Sequence, residues 1–493
     1  MQKFFQGFLN LSSTVYRVAI VRFILSMGNF IYPFMTLFLV KKLNISPSIA
    51  SIYFIASGFA FVPASIISGK LADSIGRRIV LLSSFFVYIL IIFSIFFLYH
   101  FNILQNTVIA IMLIIANLFL SMTQVPISAI ITDVTDVTNR NEAFSLTYLA
   151  ANAGFAFGPI IAGFLFENYT SMIFLGNGIA SLIGFIIFCG IKETKPEIKV
   201  YQGERQISIN KNSLEENPSI GYISAMEASI HQDNAGSNAK NEATESLDDK
   251  DNKSDETANQ NVKITQKDNV KSEDALSQKT TIPQNCNYKS EKVEVKNQSI
   301  FNFIFGDTIF LLFIIATIFF SFAYSQAGFT LPIFLTELFS KNGAKLYGVL
   351  QSTNALTVIF LTPLVSLLTK KRSSFLMIAV SGLFYAFGFG LYSVLKQFGF
   401  LIFTTVLWSI GEIIQVTHQN VFIANRSPIH LRGQVNGAFQ ILSGIGYILG
   451  PIFSGFTQKN FPITYVWGTV FIICLAGSFQ LVLIYLKNKK NPI

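Results

Sequence analysis

Charged residues are scarce in this chain of 493 residues: Asp, Glu, Lys and Arg together make up 13%. An ordinary soluble domain carries about 25%, so a soluble globular protein is excluded. Only three cysteines occur, Cys189, Cys286 and Cys474, and their wide spacing indicates neither a disulfide framework nor a metal site. The sequence also lacks a nucleotide-binding loop and a catalytic triad pattern. We therefore expect no enzyme, no ATP-driven pump and no bound cofactor.

The acidic residues that do occur are concentrated in one polar segment. Residues 197–298 hold 18 of the 27 acids and 13 of the 36 basic residues, so the rest of the chain has a net charge of +14. Those remaining cations flank apolar runs, which indicates contact with anionic lipid headgroups and not with nucleic acid. The polar segment, residues 196–299, is poor in aromatic residues and is expected to be disordered. It is either a linker between two bundles or a regulatory or docking segment.

The apolar content, by contrast, is high: 51% of the residues are hydrophobic. About 20 apolar residues cross a bilayer core of about 30 Å. Six such spans precede the polar segment and six follow it, which predicts an all-α membrane protein with six-helix bundles at 1–195 and 300–493. The predicted spans are 16–40, 47–69, 79–99, 106–132, 142–166, 170–191, 303–335, 345–369, 374–396, 400–424, 433–457 and 463–486.

Lysine and arginine are unevenly divided between the two ends of these spans. Apart from the polar segment and from Lys192 and Lys195, which lead into it, fifteen of these residues lie on one side and six on the other. By the positive-inside rule the richer side is cytoplasmic, together with both termini and the polar segment. Arg17 and Arg22, in the first part of the first span, are counted with this richer side. A content rich in Phe, Ile, Asn and Lys is typical of an AT-rich bacterial genome, so we expect a multi-pass protein of the bacterial cell membrane.

The turn between the second and third spans carries a distinctive pattern. Ten residues beginning at Gly69 read Gly-Lys-Leu-Ala-Asp-Ser-Ile-Gly-Arg-Arg. Gly69 and Gly76 permit close backbone approach, and Asp73 lies within reach of Arg77 and Arg78. The turn resembles the signature between helices two and three of the major facilitator superfamily. A basic anchoring loop is the alternative interpretation.

The resemblance implies a conformational latch at this turn. In the superfamily an acid below helix four bonds the arginines of the turn, which here implies Asp133 with Arg77. The acid of the turn contacts the start of helix eleven, which here implies Asp73 near Arg432. Arg140 lies in the turn that follows the fourth span. The implied contacts hold the outward-open state closed on its cytoplasmic side and break during switching.

The two apolar halves repeat each other at an offset of 292 residues. Duplicated halves with a site at their interface are the architecture of secondary transporters. The fifth span resembles the superfamily's antiporter motif, although close packing of small residues explains the same pattern. The repeated residues are Gly154, Gly158, Pro159 and Gly163, which correspond to Gly446, Gly450, Pro451 and Gly455.

Four spans carry polar residues along one face, as helices that line a wet cavity do. They are the first, fourth, seventh and tenth, which line the cavity in the resembled superfamily. Hydrogen bonding between helices is the alternative for any single residue. The cavity candidates are Asn29, Tyr32, Asn117, Gln124, Tyr324, Trp408, Gln415 and Gln419.

Glu412 is the one acid outside the polar segment that lies deep within a predicted span. An ionised carboxylate is costly in hydrocarbon, so we expect this side chain to face the cavity and either to exchange a proton or to bind a cation. The fourth span has no charged residue from Ile109 to Ile131, although many drug–proton antiporters of the superfamily have an arginine there. This absence places the proton coupling on Glu412. A permanently protonated structural glutamate is the alternative, and nearby His418 is expected to be structural.

Together these features predict a twelve-helix transporter with the fold of the major facilitator superfamily, most similar to its multidrug efflux branch. The expected activity is proton-coupled export of small lipophilic compounds, cationic ones included, by alternating access. The expected partners are a small-molecule substrate, protons and membrane lipids, and the expected state is a monomer. An uptake symporter for a sugar, peptide or metabolite is one alternative. A sensor or scaffold that acts through the polar segment, without transport, is another.

Overall fold

The computed structural model describes most of the chain apart from the polar segment. The described residues form helices joined by short connections, and no strand occurs among them. The segment predicted to be disordered, residues 196–299, lies outside the described residues. The described ranges are 8–103, 105–136, 139–195, 300–428 and 431–488, without the side chain of Phe301.

Twelve helices of the described chain are long and apolar enough to cross a membrane, as predicted. Eleven continuous apolar stretches are long enough to span, but one of them, residues 308–369, has 62 residues. It would measure about 93 Å at 1.5 Å per residue, three times the bilayer core. It turns at Ser340, where φ is 49°, and therefore holds two spans. In chain order the spans are α1 Ser13–Lys42, α2 Pro47–Ile75, α3 Arg77–His100, α4 Asn106–Asp133, α5 Arg140–Asn168, α6 Thr170–Cys189, then, after a short helix Ile300–Gly306, α7 308–339, α8 Gly343–Thr369, α9 Ser374–Ser393, α10 Phe398–Arg426, α11 Arg432–Asn460 and α12 Thr464–Lys487.

Prolines account for breaks inside five of these helices. α1, α2, α4, α5 and α7 are each interrupted just upstream of a proline. Proline has no backbone N–H and clashes with the carbonyl four residues earlier, which disrupts the helix at these five positions. α8 and α11, by contrast, continue through Pro363 and Pro451. The five prolines are Pro33, Pro63, Pro126, Pro159 and Pro332.

α7 begins later than predicted because an aspartate caps it. Asp307 accepts hydrogen bonds from the backbone N–H groups of Ile309 at 3.0 Å and Phe310 at 3.1 Å. The same carboxylate pairs with Arg426, at the end of α10, at 2.6 Å. Partial burial acts to raise the pKa of Asp307, but the Arg426 guanidinium and the two N–H groups bring it below its ordinary value. The pair therefore fixes the start of α7 against the end of α10.

Glycines of the repeated motif lie at helix crossings inside each half. A Cβ at Gly154 or Gly158 would collide with backbone carbonyls of α1, and one at Gly450 would collide with a side chain of α7. Small residues thus let α5 approach α1 and α11 approach α7. Pro159 and Pro451 are buried next to these glycines.

The two membrane faces can be named by their connections. The motif face carries the α2–α3 turn at residues 69–78. The far face carries the α1–α2 connection at residues 43–46 and the α7–α8 connection at residues 340–342.

Candidate transport cavity

A cavity of about 280 Å³ lies between the two halves of the described chain. α1, α2, α4 and α5 line it from one side, and α7, α8, α10 and α11 line it from the other. Five of the predicted cavity residues form part of its wall: Asn29, Tyr32, Asn117, Tyr324 and Trp408.

Glu412 lies directly behind this wall, in the middle of α10. Its Oε1 accepts a hydrogen bond from the Tyr324 hydroxyl at 3.0 Å, and its Oε2 accepts one from the Asn354 amide at 2.8 Å. Asn354 also donates to the Ser409 hydroxyl at 3.0 Å. Tyr324 and Asn354 line the cavity. The Glu412 carboxyl group is therefore hydrogen-bonded directly to two residues of the cavity wall.

Aromatic rings form much of the apolar wall. Trp408 stacks on Phe389 with ring centroids 5.2 Å apart and meets Tyr324 edge-on at 6.0 Å. On the opposite side, Phe54 of α2 meets Phe329 of α7 edge-on at 5.7 Å. Aromatic side chains of this kind contribute large apolar area and edge-to-face contacts.

Gln124 lines a second cavity, of about 170 Å³, inside the N-terminal half. It accepts a hydrogen bond from Nη1 of Arg22 at 2.7 Å. Asn29 lines both cavities, so the two adjoin. The sequence analysis counted Arg22 with the basic residues of the richer side, and it lies nine residues inside α1, which begins at Ser13.

Two predicted cavity residues of α10 do not reach either cavity. Gln415 donates to Gln419 at 3.2 Å, and neither lines the two cavities. They lie one and two turns beyond Glu412, toward the motif face. His418 on the same stretch lies 3.2 Å from the Ser374 hydroxyl of α9, so it contacts a neighbouring helix and not the cavity.

Several residues of the main cavity were not predicted, among them Tyr347, Gln351 and Asn354 of α8 and Tyr447 of α11. The three in α8 are spaced four and three residues apart, which places them on one helix face. The signal was therefore present in the sequence. It was missed because the resemblance pointed to four other spans.

Two repeat-related glycines bring the halves together at the far face. A Cβ at Gly163 of α5 would lie 2.8 Å from the carbonyl oxygen of Ala344 in α8. A Cβ at Gly455 of α11 would lie 2.9 Å from the carbonyl oxygen of Pro47 in α2. The last glycine of each motif copy thus belongs to an inter-half crossing, whereas the earlier ones pack helices within a half.

Two hydrogen bonds also cross between the halves. Thr36 donates to the carbonyl of Gly328 at 3.0 Å, and Ser48 donates to the carbonyl of Gly455 at 2.8 Å. Both lie toward the far face, and no hydrogen bond or ion pair joins the halves at the motif face among the described residues. The motif-face part of α2 packs on helices of its own half. The halves are therefore sealed at the far face and separated at the motif face.

The α2–α3 turn forms a charged network within the N-terminal half. Arg77 lies 3.3 Å from Asp73 and 3.3 Å from Asp133, so the implied contact between Arg77 and Asp133 is present. Gly76 has φ 113°, a conformation that other residues rarely adopt. The expected close approach at Gly69 is not found, because an added Cβ would meet its nearest neighbour at 3.7 Å, an ordinary contact distance.

The implied contact between Asp73 and Arg432 is absent. The Asp73 side chain is 79% exposed and pairs with Arg77, and Arg432 is exposed at the start of α11. The pair does not form because the halves are separated at this face. The Arg77–Asp133 pair is present in this arrangement, and both of its residues belong to the same half.

The other two arginines of the implied latch bind backbone carbonyls of the N-terminal half. Arg78 donates to the carbonyl of Cys189 at 3.0 Å. Arg140 donates to the carbonyl of Thr135 at 3.2 Å. They hold the ends of α6 and α4 in place.

Glu193, which was not predicted, caps the start of α3. Its carboxylate accepts hydrogen bonds from the backbone N–H groups of Arg77 at 2.9 Å and Arg78 at 3.0 Å. Partial burial acts to raise the pKa of Glu193, but these groups and the N–H groups of Lys195 and Thr194 lower it below its ordinary value. Glu193 thus ties the end of the N-terminal half to the α2–α3 turn.

Two six-helix halves around a cavity that is sealed at one membrane face define a membrane transporter of the alternating-access class. The sequence model of the Major Facilitator Superfamily matches residues 18–451. The chain belongs to this superfamily, and it is a transporter and not an enzyme.

Several solved structures share the fold. A POT family transporter in complex with a thioalcohol conjugated peptide is 14% identical, with a TM-score of 0.64, and the match covers 98% of both chains. A POT family transporter in complex with 5-aminolevulinic acid is 15% identical, with a TM-score of 0.62, over 96% of this chain and 95% of that one. The nucleoside transporter NupG is 13% identical, with a TM-score of 0.60, over 97% of this chain and 100% of its own. These identities show the fold alone.

A curated relative is the Na(+), Li(+), K(+)/H(+) antiporter of Planococcus maritimus, which is 25% identical over 199 residues. The match covers 38% of this chain and 45% of the relative. The chain thus matches less than half the length of that protein.

Proposed function

We propose that the protein is a proton-coupled exporter of small lipophilic compounds that acts as a monomer. The observation that carries this proposal is Glu412, a single carboxyl group held by Tyr324 and Asn354 at the edge of an aromatic cavity between the halves. The aromatic wall suits a lipophilic substrate. The carboxyl suits proton coupling, because it can be charged in one state and neutral in another.

Protonation of Glu412 would change the hydrogen bonds between α7, α8 and α10. Both carboxyl oxygens now accept, from Tyr324 and from Asn354, which suits the ionised form. A protonated carboxyl donates one hydrogen bond, so one partner must then turn from donor to acceptor. Since both partners line the cavity, a proton on Glu412 alters the groups available to a substrate.

The distribution of basic residues supports a cytoplasmic motif face, with the polar segment 196–299 linking the two bundles on that side. The arrangement in the structure is then inward-open, and a compound would enter the cavity from the cytoplasm of a bacterial cell. In the outward-open state the halves would close at the motif face. Asp73 and Arg432 could meet there, while Arg77 and Asp133 hold the α2–α3 turn in position.

Dye accumulation in cells tests the proposal. Cells that express the protein should accumulate less of a lipophilic fluorescent dye than empty cells, and a protonophore should abolish the difference. Glu412→Gln should accumulate dye as empty cells do. Glu337→Gln, which removes an acid near the far-face end of α7, is the matched control and should export normally. Higher accumulation than in empty cells would overturn export and favour uptake.

Exchange of monovalent cations for protons is a second candidate function, favoured by the similarity to the Planococcus maritimus antiporter. Glu412, Asn354 and Ser409 bring side-chain oxygens together beside the cavity. Everted vesicles with an internal acid load and a pH-sensitive fluorophore would test it. Addition of NaCl or KCl should dissipate the acid load with the native protein and not with Glu412→Gln. Identical traces with native and empty vesicles would reject cation exchange.

A further inference from the structure

The N-terminal half holds a cation inside its membrane-spanning part. Arg22 is half-buried and lies nine residues, about 14 Å, from the start of α1. α1 has 30 residues and would extend about 45 Å, against a bilayer core of about 30 Å. With α1 centred on the bilayer, the Cα of Arg22 lies about 6 Å inside the hydrocarbon. A charge at such a position is costly and usually marks a functional site.

No described acid compensates this charge. Arg22 makes one hydrogen bond to a described residue, to the Gln124 side-chain oxygen at 2.7 Å, and forms no ion pair with any of them. The nearest acid along α4 is Asp133, nine residues and about 14 Å beyond Gln124. Asp133 is already paired with Arg77. The remaining guanidinium N–H groups are therefore available to an anion.

The cavity next to Arg22 is rich in hydrogen-bond donors. Asn177 uses its side-chain oxygen to accept from the Tyr88 hydroxyl at 3.1 Å, which leaves its NH₂ group as a donor. The amide of Asn29 and the hydroxyl of Ser26 also line this cavity, and neither makes a side-chain hydrogen bond to a described residue. A cation and several neutral donors, without a carboxylate among the described lining residues, form an environment that suits an oxyanion.

We propose that this cavity binds the carboxylate of the transported compound. The inference rests on the proposed export function and narrows its substrate to lipophilic carboxylic acids. Arg22 would hold the carboxylate, and the aromatic body would lie in the larger cavity. The two spaces are suited to one molecule because Asn29 lines both of them.

Binding of two matched probes tests this assignment. The purified full-length protein is titrated in a calorimeter with 2-naphthylacetate and with its neutral analogue, 2-naphthylacetamide. The native protein should bind the acid about tenfold more tightly than the amide, the effect of about one charge-assisted hydrogen bond. Arg22→Gln should bind both probes equally. Arg17→Gln is the matched control, because Arg17 lies on the same helix but donates to the carbonyl of Gly190, and it should keep the preference.

A second variant is needed in case the Arg22→Gln protein does not fold. Gln124→Glu places a carboxylate beside Arg22, so it should keep the fold while removing the preference for the acid. Equal binding of the two probes by the native protein would overturn the assignment. A preference that survives in both Arg22→Gln and Gln124→Glu would also overturn it.

A lipid phosphate is a second source of the same anion chemistry. The titrations are therefore repeated with added phosphatidylglycerol. If the lipid removes the preference in the native protein, the cavity belongs to lipid and the substrate assignment fails. If the preference is unchanged, the assignment is supported. Because no proton gradient is involved, Glu412→Gln should retain the preference, so a failure of proton coupling and a failure of this site give different results.

Discussion

The seal at the far face should depend on the absence of side chains at Gly163 and Gly455. A Cβ at Gly163 would lie 2.8 Å from the Ala344 carbonyl oxygen, whereas ordinary contacts begin near 3.4 Å. Backbone cannot move aside as a flexible side chain does, so the two helices must separate by about 0.6 Å even for alanine. We expect Gly163→Leu and Gly455→Leu to open the far face.

The expected size of the effect follows from the cost of overpacking. Such substitutions cost about 1–3 kcal/mol in a packed interior. Only the state with a closed far face bears this cost, so the equilibrium should shift toward the outward-open state by about 5–150-fold. At Gly455 the separation would also weaken the hydrogen bond from Ser48, at present 2.8 Å. Alanine should act in the same direction as leucine but more weakly.

Thiol labelling in intact cells measures this shift. A cysteine replaces Phe155, which lines the cavity, in a protein whose three native cysteines are changed to serine. A membrane-impermeant maleimide added outside should label Gly163→Leu and Gly455→Leu proteins at least about fivefold faster than the parent. Gly444→Leu is the matched control on α11, because a Cβ there meets nothing within 4 Å. Unchanged labelling in both variants would refute the reasoning.

Three further predictions follow from the charged contacts. Glu193→Gln should lower the midpoint of thermal unfolding at pH 7. Because the folded-state pKa of Glu193 is lowered, its contribution is present above the unfolded pKa of about 4.3 and is lost as the pH falls further. The difference between native and variant midpoints should therefore shrink toward pH 3.5, and a constant difference would contradict the capping role. Asp307→Asn should destabilise the C-terminal half by about 2 kcal/mol, and the loss should be smaller when Arg426 is already glutamine, as a double-mutant cycle in denaturant would show; additive losses would contradict a coupled pair. Asn354→Leu should reduce proton-driven transport per folded molecule by about tenfold, and native transport rates would show that its bond to Glu412 is dispensable.

Much of the architecture was predictable because it depends on local composition. Twelve apolar runs of sufficient length gave the spans, and the positions of Pro63 and Pro126 mark the observed helix breaks in α2 and α4. Glu412 could be identified because it is an acid within an apolar run. For such features the physical cause lies in the neighbouring residues of the sequence.

Other features depend on distant partners or on the conformational state. Glu193 binds backbone N–H groups 115 and 116 residues away, and no side-chain pattern indicates such a partner. Arg22 was counted only with the basic residues of the richer side, because the sequence does not show how far α1 extends beyond the bilayer. The Asp73–Arg432 contact requires halves that are closed at the motif face, and the sequence does not specify which state is populated.

The break in α7 has a consequence for how the contact between the halves at the far face is made. Pro332 has no N–H to offer the carbonyl of Gly328, four residues earlier, and that carbonyl instead accepts the hydroxyl of Thr36 from the other half. The acceptor of this inter-half bond is thus a main-chain oxygen that no substitution at residue 328 can delete. Pro332→Ala would restore an N–H group that competes with Thr36 for this carbonyl. The bond between the halves thus depends on Pro332, which does not itself take part in it.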